Sequence, residues 1–148
     1  MQFMNRADPS SEQQAHTPQQ VLDLAVQHHT KGELSKAQDI YEQILQTDPN
    51  HPEVMRLLGV IALQVGEKNR AVDLIKKATR VKPEFAEAHT DLGDALIELR
   101  RPEEAVACYN KAIQIKPDYV QAHYNLGNTF KKWGSLMKPL PATKWPWL

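Results

Sequence analysis

The chain has one cysteine, Cys108, so no internal disulfide can form. It has no excess charge of either sign: 18 Lys and Arg balance 18 Asp and Glu, and no overall field draws it to nucleic acid or an acidic membrane. No apolar run approaches the roughly 18 residues that a membrane span requires. The opening Met1-Gln2-Phe3-Met4-Asn5-Arg6 has no apolar stretch that could serve as a secretion signal. Aromatic residues make up only 7% of the chain, and mean hydropathy is −0.55. Walker, GxSxG, HExxH, CxxC and dinucleotide-binding patterns are all missing, so neither catalytic residues nor a cofactor is expected. A cytoplasmic protein without nucleic-acid or membrane partners is the expectation.

What is present is an internal repeat. Pro49, Pro83 and Pro117 stand 34 residues apart, and Ala37, Ala71 and Ala105 keep the same step. So do Leu24, Leu58, Leu92 and Leu126, each followed by a small residue: Ala25, Gly59, Gly93 and Gly127. Each slot has a physical reason. Proline ends a helix and fixes the entry to the next. The small residue after leucine lets two helices approach closely, and the later alanine marks where they cross. Gly32 and Gly66 permit the tight turn between paired helices; the third copy carries Arg100 there, followed by Arg101-Pro102. The pattern predicts helices near 18–31, 34–47, 52–65, 68–81, 86–99, 102–115 and 120–133, with Thr17-Pro18 starting the first and Asp118 capping the last. Residues 1–17 are polar and aperiodic and read as a disordered arm. Residues 135–148 hold Pro139, Pro141, Pro146, Trp145 and Trp147 and cannot continue a regular helix.

These slots resemble the tetratricopeptide repeat (TPR) family. The fourth copy begins His123-Tyr-Asn-Leu126-Gly127-Asn-Thr-Phe130, and the third closes on Ala105-Val-Ala-Cys-Tyr109 and Pro117. The resemblance covers about residues 18–134. Val21, Met55, His89 and His123 stand where the family favours Trp, and Ile75 replaces an aromatic. It implies an all-α, right-handed superhelix of antiparallel helix pairs, about three and a half repeats (18–51, 52–85, 86–119 and a partial 120–134). The first helix of each pair would line the concave side.

The functional expectation is a non-enzymatic scaffold that binds a peptide or partner segment in the concave groove. The groove should be lined by Val26, Arg56, Leu57, Val60, Leu63, Asp91, Asp94, Glu98, Tyr124, Asn125, Asn128 and Lys131. Helix 52–65 is apolar nearly all round, so something beyond its own packing should cover Leu57, Val60 and Leu63. The acidic run Glu87, Asp91, Asp94 and Glu98 beside them points to a ligand with apolar anchors followed by Lys or Arg. The carboxylate clamp of chaperone-tail-binding relatives is matched only by Arg56. Equivalent histidines His89 and His123 lack a third ligand at any regular spacing, so they read as packing residues and no metal is expected. The repeats carry net charges of −3, +3 and −3, and residues 120–148 carry +4, a pattern that can support stacking of neighbours.

At the C-terminal end, Phe130, Trp133, Leu136 and Met137 lack a second helix to cover them. Either Trp145 and Trp147 fold back over them or two copies meet there, and a homodimer is the favoured expectation. The alternative reading of the whole chain is the N-terminal repeat segment of a larger glycosyltransferase- or sulfotransferase-type enzyme, cut short near Ser135.

Overall fold

The computed structural model describes residues 16–136. Among them are seven helices and no strand: α1 (Pro18–Thr30), α2 (Leu34–Thr47), α3 (Pro52–Gln64), α4 (Lys68–Val81), α5 (Ala86–Glu98), α6 (Pro102–Ile115) and α7 (Val120–Leu136). The expected arm and the Pro/Trp-rich tail lie outside the described residues, apart from their innermost positions.

Local chemistry sets the helix ends. Thr17 and Gln20 form a reciprocal capping box: Gln20 N–H donates to the Thr17 hydroxyl at 3.1 Å, and Thr17 N–H donates to the Gln20 side chain at 2.8 Å. Pro18, Pro52 and Pro102 sit in the first turns, where no backbone N–H is needed. The three turns inside the pairs close alike. Gly32, Gly66 and Arg100 have φ of 82°, 90° and 59°, and the following N–H of Glu33, Glu67 and Arg101 reaches back to the His28, Ala62 and Leu96 carbonyls at 2.8, 2.8 and 2.9 Å. Arg100 therefore holds the left-handed geometry of its glycine counterparts at a steric cost. Asp118 does not cap the last helix. Tyr119 occupies the position before Val120, and its carbonyl accepts the His123 N–H, which leaves Asp118 one residue outside.

Consecutive helices pack as antiparallel pairs, and pairs stack in sequence into a superhelix. The first helices also touch across repeats, α3 with α5 and α5 with α7, so they form the inner side. Ala37, Ala71 and Ala105 are completely buried at the crossings, as their 34-residue spacing requires. The small residue after leucine does more than bring helices together. A Cβ added at Gly59 would lie 2.5 Å from the Ile75 side chain, and one at Gly93 would lie 2.5 Å from the Tyr109 ring. The glycine is thus the seat of a large side chain from the second helix. At Gly127 no described atom comes within 4 Å.

The core is a stripe. One cluster joins Ala25, Tyr41, Leu58 and Ile61; a larger one joins Met55, Ile75, Phe85, Leu96 and Tyr109. The last has Ala86, Ala112 and Ala122 as its buried members, with Ile113, Ile115 and Tyr119 packed partly buried against them, so apolar burial thins toward α7 among the described residues.

Candidate functional site

The inner surface is built by α1, α3, α5 and α7, and three polar contacts tie them together. His29 meets the Gln64 side-chain oxygen at 2.8 Å. Arg56 donates to Asp91 at 2.7 Å and to Glu53 at 2.9 Å. Asn125 donates to Asp94 at 2.9 Å. In each, residues about one repeat apart meet on the same face of successive inner helices.

Arg56 and Asp91 are both largely buried. Desolvation pushes the Asp91 carboxyl up, and the guanidinium beside it pulls back; hydrogen bonds to the two carboxylates hold Arg56 charged despite its own burial. The guanidinium also lies 5.5 Å from the centre of the Phe85 ring. Arg56 is therefore committed to internal structure and is not a free clamp for a ligand carboxylate.

Asp94 accepts the Tyr109 hydroxyl at 2.6 Å as well as the Asn125 amide. Burial raises its pKa to about 6; the Tyr109 hydrogen bond opposes this, and the negative charge of Asp91 adds to it. Together with Glu98, Tyr109, Asn125, Asn128 and Lys132 it borders a polar depression of about 180 Å³ between α5 and α7. The acidic run does not stand free. Besides the Asp91 and Asp94 partners, Glu87 faces Lys116 at 3.4 Å and Glu98 faces Lys68 at 3.8 Å.

One further expectation needs correction. Leu57 and Leu63 are half-buried and pack on the first and second core clusters, so they need no ligand to cover them; Val60 is likewise half-buried. Five large apolar side chains stand exposed on the described inner helices: Leu24 and Val26 (38%) on α1, and Val120, Tyr124 (65%) and Phe130 on α7. Asn125 and Asn128 are half-buried on the face of α7 that carries Tyr124, and Lys131 is exposed. His89 and His123 each place Nε2 against the carbonyl of the proline six residues earlier, Pro83 at 2.9 Å and Pro117 at 2.8 Å, and so lock the start of α5 and α7. No cluster of potential metal ligands occurs among the described residues.

At the C-terminal end, Phe130 is 52% exposed and stacks on Trp133 with ring centres 6.4 Å apart. Leu136 closes α7, and Met137 lies outside the described residues.

Sequence reasoning missed the pairing of Tyr109 with Asp94, although a signal existed. The slots at 26, 60 and 94 read Val, Val, Asp, and those at 41, 75 and 109 read Tyr, Ile, Tyr. Tyr109 meets an acid, but in the first repeat the slot equivalent to Asp94 holds Val26; the Tyr41 hydroxyl is buried with no hydrogen-bond partner, and its pKa is pushed up to about 12, chiefly by desolvation. The alternation of charge was legible and finds its partners. The basic second repeat reaches both acidic neighbours, Arg70 to Glu42 at 3.0 Å and Arg56 to Asp91 at 2.7 Å.

A stack of 34-residue helix pairs with this slot chemistry defines a class of scaffold that displays a concave surface. Two family models match it, one described as tetratricopeptide repeat over residues 29–89 and one as TPR repeat over residues 93–134, and the chain belongs to the tetratricopeptide repeat family. No curated protein matches it. Among solved structures it is similar to the Thermobaculum terrenum O-GlcNAc transferase (25% identity, TM-score 0.73, 74% of this chain and 21% of that one). It is similar also to the MamA protein (29% identity, TM-score 0.67, 77% of this chain and 62% of that one). A third likeness, of fold alone at 18% identity, is to the first TPR domain of Spaghetti (RPAP3) bound to the HSP90 peptide SRMEEVD (TM-score 0.72, 76% of this chain and 90% of that one). The chain thus spans about a fifth of the transferase and less than two thirds of MamA. No described helix is long and apolar enough to cross a membrane.

Proposed function

We propose that this interaction scaffold binds an extended or helical segment of another protein along its inner surface, with apolar anchors received at Val26 and Tyr124. The observation that carries the reading is their exposure on inner helices whose polar side chains are otherwise engaged with one another. Ordered polar partners leave the surface pre-shaped, which lowers the entropy lost on binding. Leu57, Val60, Leu63, Asp91 and Asp94 shape the floor, and Asn128 and Lys131 remain to meet a polar backbone or side chain. Because the carboxylates are already paired, a following Lys or Arg in the ligand adds only a modest, salt-sensitive term. The Spaghetti domain, a protein of similar fold, holds a peptide, which supports peptide binding in general; the acidic end of that peptide, SRMEEVD, is unlike the anchors proposed here.

The test is selection from a peptide library on the whole chain, compared with the double variant Val26→Glu/Tyr124→Ala. Both positions are exposed, so the variant should fold. Selected sequences with aromatic or aliphatic anchors, and an affinity loss of about tenfold or more (about 1.4 kcal/mol) in the variant, are expected. Peptides that bind both forms equally would place the site elsewhere.

Self-association through α7 is a second mode. It is favoured by the seat at Gly127, which no described atom fills, and by Phe130 one turn later on the same helix, an arrangement that two copies can satisfy reciprocally about a two-fold axis. Light scattering at rising concentration, with Phe130→Ser as control, tests it: a monomer throughout would refute it. The enzyme-segment reading rests on the likeness to the transferase, of which this chain spans only a fifth. An intact gene ending at Leu148 would rule it out.

A further inference from the structure

The 34-residue register exposes one unfilled place in the array. In the second repeat Phe85 is 5% exposed and belongs to the same core cluster as Met55 and Ala78, with the Lys82 ammonium 4.6 Å from its ring centre. In the third repeat Tyr119 takes the equivalent place, packs on Ala86, Ala112 and Ala122, and has Lys116 5.0 Å from its ring centre. The first repeat has His51 at this slot. Its imidazole turns to accept the Val54 N–H at 3.3 Å, which caps α3. What remains is a cleft of about 470 Å³ whose walls include Val21, Leu22 and Ile44, the counterparts of Met55, Arg56 and Ala78. Its rim also departs from the other repeats: Asp48 stands where they carry Lys82 and Lys116.

We infer that this cleft receives the chain's own N-terminal segment, with the Phe3 ring in the aromatic place and Arg6 against Asp48. The segment is local to the site, because His16 is itself a lining residue and residues 1–15 are covalently joined to it. Phe3 is the one aromatic residue among those fifteen, with Met4 beside it. The 13 peptide steps from Phe3 to His16 span at most about 45 Å, ample for a cleft that begins at His16. A tether this short gives a local concentration of order millimolar, which a free segment from another molecule does not reach. Charge selects the same occupant. Where the other repeats place a lysine over their built-in aromatic, this one presents a carboxylate, and the incoming segment brings its own cation three residues after its ring.

The experiment uses the full chain and reads methyl NMR signals of Val21, Leu22 and Ile44 together with the rate of tryptic cleavage after Arg6. With the ring docked, these methyls carry ring-current shifts and cleavage is slow. Phe3→Ala should abolish the shifts and speed cleavage roughly tenfold, the change expected when a segment about 90% docked by its tether is released. Phe3→Trp should restore both. His51→Phe, which builds in the side chain that Phe85 supplies in the next repeat, should release the arm while its residues remain intact; so should Asp48→Lys. Identical shifts and cleavage rates in the original chain and Phe3→Ala would overturn the proposal. Shifts that follow protein concentration rather than Phe3 would assign the cleft to a second copy, and would overturn it equally.

Discussion

Gly93→Ala and Gly127→Ala are the same chemical change at equivalent slots of successive repeats, and the structure expects opposite results. In a helix interior, Gly to Ala gains about 0.8–1 kcal/mol of propensity. At Gly127 nothing described lies within 4 Å of the new methyl, so most of that gain should appear as stability. At Gly93 the methyl would sit 2.5, 2.8 and 2.9 Å from three atoms of the Tyr109 ring. The ring cannot swing aside cheaply: it is 2% exposed, and its hydroxyl is fixed to Asp94 at 2.6 Å. Overpacking of this kind costs about 1–3 kcal/mol, which leaves a net loss of up to about 2 kcal/mol after the propensity gain. Urea and thermal unfolding followed by circular dichroism should show Gly127→Ala melting about 2–4 °C higher and Gly93→Ala several degrees lower. In a Tyr109→Ala background the penalty at Gly93 should largely vanish, because the double variant removes the colliding ring. Equal shifts of the same sign at both glycines, or a penalty at Gly93 that survives removal of the ring, would refute the assignment of these glycines as seats.

Other perturbations separate similar positions in the same way. Arg100→Gly should raise stability by about 0.5–1 kcal/mol in chemical denaturation, since φ of 59° disfavours a side chain by about 1–2 kcal/mol while glycine returns part of that as chain entropy. Tyr41→Phe should be neutral or stabilising by up to about 1 kcal/mol because it removes a buried hydroxyl without a partner, whereas Tyr109→Phe should destabilise by about 1 kcal/mol or more by stripping a hydrogen bond from Asp94. Asp94 has a folded pKa raised to about 6, so it contributes stability that is fully present below about pH 4 and is lost as pH rises through 6. Discounted for its partial exposure, the loss should be about 1–2 kcal/mol, and denaturation midpoints of Asp94→Asn should lack that fall. Ala71→Trp and Ala105→Trp should each unfold the array locally, at about 1–3 kcal/mol or more, and unchanged melting would contradict the crossings placed at these alanines.

The helices were legible because every boundary is written in local chemistry. Prolines at 18, 52 and 102, the glycines at 32 and 66, and the Thr17 cap place each expected end within a residue or so of the observed one for the first six helices. Even Arg100 could be assigned by register to the turn, although its conformation is one that an arginine disfavours. Asp118 misled because cap propensity speaks for a residue in isolation, while the repeat had already placed Phe85 and Tyr119 in the slot before the inner helix. Leu57 and Leu63 misled for a related reason. A helical wheel shows which directions are apolar, and it cannot show that neighbouring repeats bend round to meet two of those directions.

The inner surface was the least legible part, since its character depends on which charge meets which across a repeat boundary. Arg56 read alone looks like an anion-binding residue, and Asp91 and Asp94 read alone look like cation-binding ones. Placed 2.7 Å apart, Arg56 and Asp91 cancel, and Asp94 turns its carboxylate to Tyr109 and Asn125. A step of 34 residues puts like positions side by side, so a difference between two copies at one slot decides whether a polar group is consumed or left over. The Asp at 94 satisfies Tyr109, and the Val at 26 leaves Tyr41 unmatched; the Phe at 85 fills its place in the core, and the His at 51 leaves an open cleft. Unmatched polar groups and open space are therefore concentrated where the copies disagree. Comparing slots across repeats locates those places more surely than examining each repeat for a motif of its own.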